Sequence, residues 1–160
     1  MNPTIYVAGG VGRGPTEIAA YDAALAEINL HNYNLVTVSS IVPDRGTIQQ
    51  VEAAPDLGTA GNRLFVVQSK AVAAPGEEEP IAAGLGWAIG PGPGLFYEAT
   101  GPDAEAVRDE LDVGLTAGLS LREWSCPDRG YEVSIAEPAA DECVVAVVLA
   151  AYGDSAPMFR

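Results

Sequence analysis

The sequence predicts an α+β fold, a layered α/β sandwich with a mainly antiparallel or mixed sheet, two main helices and a single domain over residues 1–160. Three observations carry this. Segments with strand character outnumber segments with helical periodicity, seven to two. Their order, β-α-β-β-β-β-α-β-β, does not alternate as a doubly wound fold would. A chain of 160 residues, 48% of them hydrophobic, is one domain's worth and long enough to bury a core.

Thr-Ile-Tyr-Val-Ala at 4–8 reads as the first strand, and Gly9 to Gly14 as a glycine-rich turn. Pro15 suits a first helical turn, with Thr16-Glu17 placing an acid at its positive end. The helix runs to about Ile28, with Ile18, Tyr21, Leu25 and Ile28 as its apolar stripe. Asn29 to Asn34 is a polar turn. A second strand covers Leu35 to Val42 and stops at the turn Pro43-Asp44-Arg45-Gly46. Residues 47–62 read as loop, and Leu64 to Ser69 as a strand. Pro75 to Pro80 is a turn whose three glutamates face water.

Residues 81–89 alternate, Ile81, Ala83, Leu85, Trp87 and Ile89 against Ala82, Gly84, Gly86 and Ala88. A strand with one bulky and one tiny face lets another backbone come close. Leu95 to Ala99 is a further strand. Gly101-Pro102-Asp103 opens the second helix, with Ala104, Val107, Leu111, Leu115 and Gly118 toward the core. Tyr131, Val133 and Ile135 alternate with Glu132 and Ser134. The unbroken apolar run Val144 to Ala151 is expected to be buried on both faces. From Asp154 the tail is expected to fray.

Charge narrows the function. There are 22 Asp and Glu against 8 Lys and Arg, a formal charge of -14. This excludes nucleic-acid binding through a basic surface. Seven of the eight basic residues are Arg, and Lys70 is the one lysine. Many acids with almost no lysine is the surface of a protein kept soluble in concentrated salt; a plainly acidic protein is the alternative. No apolar run reaches the roughly 18 residues needed to span a bilayer. The N-terminus lacks a basic start and a long apolar stretch, so no signal peptide or membrane partner is expected and the cytoplasm is the default location.

Several motifs lead nowhere. Gly10-Val11-Gly12-Arg13-Gly14 follows a strand and precedes a helix, but a dinucleotide fingerprint needs glycine where Pro15 stands, and no Gly-Lys-Ser/Thr is present. A pyridoxal enzyme would have only Lys70 for its Schiff base. Cys126 and Cys143 match no redox or zinc spacing, and His31 lies alone in a polar loop, so no metal is expected.

The informative segment is Asn34-Leu35-Val36-Thr37-Val38-Ser39-Ser40-Ile41-Val42-Pro43. Taken alone, two serines at a strand end are ordinarily a hydrogen-bonded terminus. Asp22 falls within the apolar stripe of the first helix, where an inward carboxylate is costly unless it meets a cation or donors; the alternative is an acid at the stripe's edge that reaches water. Glu98 lies in Leu95-Phe96-Tyr97-Glu98-Ala99, on an apolar strand that would raise a carboxyl pKa and suit a proton donor. The alternative is a glutamate facing solvent.

These residues, with Tyr21-Asp22-Ala23-Ala24-Leu25, Pro75-Gly76-Glu77, Gly94-Leu95-Phe96-Tyr97-Glu98 and the apolar C-terminal strand, resemble the pyruvoyl-dependent arginine decarboxylase family over most of the chain. The resemblance implies self-cleavage between Ser39 and Ser40. Ser40 Oγ would attack the Ser39 carbonyl, and elimination and hydrolysis would leave a covalent pyruvoyl cofactor at position 40. The products are residues 1–39 and 40–160. It assigns Asn34 to processing, where its amide could steady the oxyanion, Glu98 to protonating the substrate carbon after CO₂ loss, and Asp22 to the guanidinium. It further implies a small α/β sandwich assembled as a homotrimer or pair of trimers, with sites between subunits. The expected activity is conversion of arginine to agmatine and CO₂ in polyamine synthesis. Lysine, ornithine or aspartate as substrate, and an unprocessed relative that binds a cationic metabolite, are the alternatives. Residues 49–61 and 90–93 follow the family pattern poorly.

Overall fold

The computed structural model describes residues 3–160. Nine strands and two helices follow the order β1 (Thr4–Gly14), α1 (Glu17–Glu27), β2 (Asn34–Thr37), β3 (Ile41–Val42), β4 (Thr47–Gln50), β5 (Arg63–Ala73), β6 (Ile81–Ile89), β7 (Gly94–Gly101), α2 (Ala104–Leu119), β8 (Asp128–Ala136) and β9 (Cys143–Tyr152). They form a five-stranded mixed sheet ordered β2-β5-β9-β1-β4 and a four-stranded antiparallel sheet ordered β3-β7-β6-β8. This is the α+β sandwich expected.

Period-two patterning builds the layers. On β9, Val148 and Ala150 pack with Ile5, Val7 and Val67 against Leu85, Trp87 and Phe96 of the other sheet. Val145, Val147, Leu149 and Ala151 point the opposite way, onto Ala20, Ala24, Leu25 and Ile28 of the first helix region. β9 is thus buried on both faces, as its unbroken apolar run requires. On the other side, α2 lays Val107, Leu111 and Leu115 on the small face of β6, where a Cβ at Gly84 or Gly86 would meet those side chains.

The glycine-rich stretch is not a turn. β1 continues through Gly14, antiparallel to β9 from Ile5↔Tyr152 to Gly14↔Cys143. Its glycines let α1 settle on the sheet: a Cβ at Gly12 would fall on the backbone of Ala20 and Ala24. Here glycine supplies the absence of volume rather than freedom of φ. Gly12→Ala is expected to destabilise the fold by about 3 kcal/mol, a fall of about 10 °C in Tm in a thermal melt.

The same close approach corrects the helix stripe. Thr16 caps α1, its Oγ1 accepting from Ala19 N at 3.1 Å, and Asn29, with φ 62°, follows the helix in the left-handed region. The buried face is Ala20, Ala24 and Leu25, with Ile28 at the cap, while Ile18 is 77% exposed. Asp22 is therefore exposed rather than inward-facing.

Four other expectations change. The second strand is two strands in different sheets, β2 parallel to β5 and β3 antiparallel to β7, with Val38, Ser39 and Ser40 crossing between them. The loop at 47–62 begins with β4, which pairs parallel to β1. In β8 it is Ser134 that is buried, its Oγ donating to Val147 O at 2.8 Å, while Ile135 is 51% exposed. The tail is tied down rather than frayed: Ala156 and Arg63 exchange backbone hydrogen bonds of 3.0 and 2.7 Å, and Arg63 Nη1 donates to Pro157 O.

Candidate active site

The break between β2 and β3 fixes the site. β2 pairs with β5 only as far as Thr37↔Val66, and Val38 N adds one bond to Val66 O at 2.9 Å. The chain then leaves that sheet. β5 runs on to Ala73 without a strand along that edge. Across the gap stands β7 of the other sheet.

Three successive carbonyls at the crossover each receive a donor. Ser39 O accepts from Ile41 N at 2.8 Å, Ser40 O from Phe96 N at 2.8 Å, and Ile41 O from Tyr152 Oη at 2.8 Å. The first closes a three-residue turn centred on Ser40. Among the described non-glycine residues only Asn29 and Arg45 have positive φ, so this turn is of the inverse kind. Burial pushes the Tyr152 hydroxyl up to about 12, which keeps it a protonated donor.

Glu98 sits two residues beyond Phe96 on the same face of β7, about 7 Å along the strand. It lines a cleft of about 290 Å³ with Gln68, Ser69, Lys70 and Glu110. Its side chain reaches solvent in the single chain, yet desolvation against the sheets raises its carboxyl pKa. The floor is fixed by buried Ser69, whose Oγ donates to Ala99 O at 2.8 Å and accepts from Gly84 N at 3.2 Å.

Asp22 and Asn34 line a second, larger cleft of about 580 Å³ with Tyr21, His31, Leu35 and Gln68. Gln68 belongs to both clefts. Tyr21 Oη donates to Gln68 Oε1 at 2.6 Å, and Gln68 Nε2 donates to Thr37 Oγ1 at 3.4 Å, three residues before Ser40. The cation of Lys70 rests over the Tyr21 ring, 5.0 Å from its centroid. The Asn34 amide is engaged elsewhere: Nδ2 donates to Gly61 O at 2.8 Å, and its backbone N–H to Asn62 O at 2.8 Å. It anchors the start of β2 and gives the Ser39 carbonyl no donor.

The sequence-predicted residues thus fall into two groups joined by Gln68. Ser39 and Ser40 lie just before β3, with Ser40 O bonded to Phe96 N and Glu98 two residues further along β7, while Asp22 and Asn34 line the neighbouring cleft. The sequence reading missed Gln68, Tyr152 and the N–H groups of Ile41 and Phe96. Tyr152 had one signal, a polar tip closing an apolar strand; the backbone donors had none.

The site thus combines a position-40 carbonyl held by the Phe96 N–H with a carboxyl, Glu98, two residues further along β7, whose pKa desolvation raises. A sequence model of the pyruvoyl-dependent arginine decarboxylases matches residues 4–157. Proteins of that name in two strains of Halobacterium salinarum are 49% identical over 162 aligned positions, covering 98% of both chains. Pyruvoyl-dependent arginine decarboxylase 1 of Archaeoglobus fulgidus is 32% identical, covering 92% of this chain and 96% of its own. The chain belongs to the pyruvoyl-dependent arginine decarboxylase family. It is accordingly an enzyme with a covalent pyruvoyl cofactor and a small amino-acid substrate. Among the described residues no helix is long and apolar enough to cross a membrane.

Proposed function

We propose that this chain converts L-arginine to agmatine and CO₂, using a pyruvoyl group made from Ser40 when the chain cleaves itself into residues 1–39 and 40–160. The observation that carries this is the Ser39-Ser40 pair at the crossover between sheets, where Ser40 O accepts from Phe96 N, two residues before Glu98 on β7. Position 40 fits the cofactor, because its backbone carbonyl survives the cleavage and keeps the Phe96 N–H as partner. Bound there, the pyruvoyl group supplies an electrophilic ketone and a conjugated amide carbonyl that accepts the electron pair left by departing CO₂.

The protein's own groups do the rest. Ser40 supplies the attacking hydroxyl for cleavage, and Ser39 the carbonyl it attacks. Asn34 assists by fastening β2, and with it the start of the segment that leads to Ser39, to the turn at Gly61. Glu98, whose carboxyl pKa desolvation raises above the ordinary glutamate value, delivers a proton to the substrate's α-carbon. Asp22 offers a carboxylate to the guanidinium at the far end of the substrate. The two clefts open along one sheet edge, where Val36 and Phe65 are exposed. That supports assembly as a homotrimer or pair of trimers with sites shared between subunits. The absence of a spanning helix among the described residues supports a cytoplasmic enzyme.

The test is CO₂ release from arginine, lysine, ornithine and aspartate in turn. Arginine is expected to be the preferred substrate, and Asp22→Asn to raise its KM by about 100-fold, the loss of a charge-assisted pair. Release from another amino acid with none from arginine overturns the substrate assignment.

A further inference from the structure

We propose that the backbone N–H of Ile41 is the oxyanion donor for self-cleavage. This inference rests on the reading that the Ser39–Ser40 bond is cut. The scissile carbonyl already has a donor, Ile41 N at 2.8 Å from Ser39 O, while Asn34 Nδ2 donates to Gly61 O at 2.8 Å.

The geometry of β3 sets this N–H aside for the purpose. Phe96 N bonds Ser40 O, so Ile41 and Leu95 form a non-hydrogen-bonded pair of the antiparallel ladder. The Ile41 N–H consequently points away from β7, on an edge strand, and turns back on Ser39 O. The neighbouring carbonyls at 40 and 41 are pinned by Phe96 N and Tyr152 Oη, which hold the turn in place.

In the cleavage step Ser40 Oγ forms a bond to the Ser39 carbonyl carbon, and the carbon–nitrogen bond between residues 39 and 40 then breaks. The hydroxyl proton ends on the released amine of residue 40, and Ser39 becomes an ester of Ser40 Oγ. This shift consumes no other reactant; loss of the residue 40 α-proton then expels the Ser39 carboxylate, separating the two segments, and one water displaces the amine as ammonia to leave the ketone. Between the attack and the carbon–nitrogen cleavage the electron pair of the carbonyl rests on Ser39 oxygen. A hydrogen bond to that oxygen strengthens as it becomes anionic, so the Ile41 donor favours the transition state over the resting amide. Because the donor is preorganised, it needs no rearrangement when charge develops.

The test compares the wild type with Ile41→Val and Ile41→Pro as full-length chains, following cleavage at the 39–40 bond by intact mass over time. Valine keeps the N–H and proline deletes it, at an edge-strand position whose N–H makes no ladder hydrogen bond and where proline is tolerated. Ile41→Val is expected to cleave at the wild-type rate and Ile41→Pro about 10- to 100-fold more slowly. A further chain carries the hydroxy-acid analogue of isoleucine at 41, replacing N–H by oxygen without the proline ring. It is expected to show the same slowing at the same bond, and it decides the matter if the proline chain fails to fold. Wild-type cleavage kinetics in a folded chain lacking the N–H overturn the proposal. A wild-type chain that never cleaves removes the underlying reading itself, and is told apart because it shows in the control.

Discussion

Ser40→Ala is expected to leave an intact chain of 160 residues that releases no CO₂ from arginine above background. The change removes a single oxygen from a half-buried side chain at a crossover, so the sandwich should keep its stability. It also removes the nucleophile without which no ester, and then no ketone, forms at position 40. The effect is all or none, more than 1,000-fold in turnover, because the lost group is the source of the electron sink. A denaturing gel and a labelled-CO₂ assay check both halves. A cleaved Ser40→Ala chain, or an intact one that decarboxylates arginine, would remove Ser40 from the chemistry.

Glu98→Gln should separate processing from catalysis. Glutamine keeps the shape and hydrogen-bonding capacity of the side chain but cannot deliver a proton, so cleavage proceeds while kcat falls by about 100- to 1,000-fold. The pH dependence follows from the desolvation that raises this carboxyl. The protonated form is the competent one, so wild-type turnover falls as pH rises through the Glu98 pKa. The residual activity of Glu98→Gln should lack that limb. The same shift acts on folding in the same direction: the folded carboxyl holds its proton more tightly than the unfolded one. Its contribution to stability therefore declines as pH rises above the ordinary glutamate value. A glutamine variant with wild-type kcat would assign the proton to another group.

Different physical signals explain which parts of the fold were legible. The β6 alternation and the β9 run could be read because side-chain period and burial agree along their whole length. The α2 stripe of Val107, Leu111, Leu115 and Gly118 could be read for the same reason. The Gly9 to Gly14 stretch was misread because glycine suggests a turn locally. Its purpose is set by α1, whose backbone lies where Cβ atoms would be. That contact also turned the small face of α1 inward and moved Ile18 and Asp22 outward. β4 escaped notice because Gln49 and Gln50 are polar on an exposed edge, and its pairing with β1 is a parallel, long-range event. Ser134 broke the expected facing of β8 because its hydroxyl finds the Val147 carbonyl between the sheets.

The site was legible where chemistry resides in side chains. Ser39-Ser40 and Glu98 stand out because a serine pair and a glutamate interrupt apolar strands. The strand break that isolates Ser40 was not visible, since Val38 and Ile41 are equally compatible with one continuous strand. Nor could any residue pattern reveal the Ile41 and Phe96 N–H groups, which every non-proline residue possesses and only the register aims. Gln68 links the Asp22 and Glu98 clefts through Tyr21 and Thr37, contacts 47 and 31 residues apart in the chain.

An intact-mass spectrum of the purified wild-type protein bears most directly on the central claim, that one peptide bond of the folded chain converts a serine into a ketone. Two species are expected, residues 1–39 ending in a free carboxylate and residues 40–160 beginning with a pyruvoyl group that gains mass on borohydride reduction. A single species of 160 residues, unchanged by incubation and inert to borohydride, would contradict it.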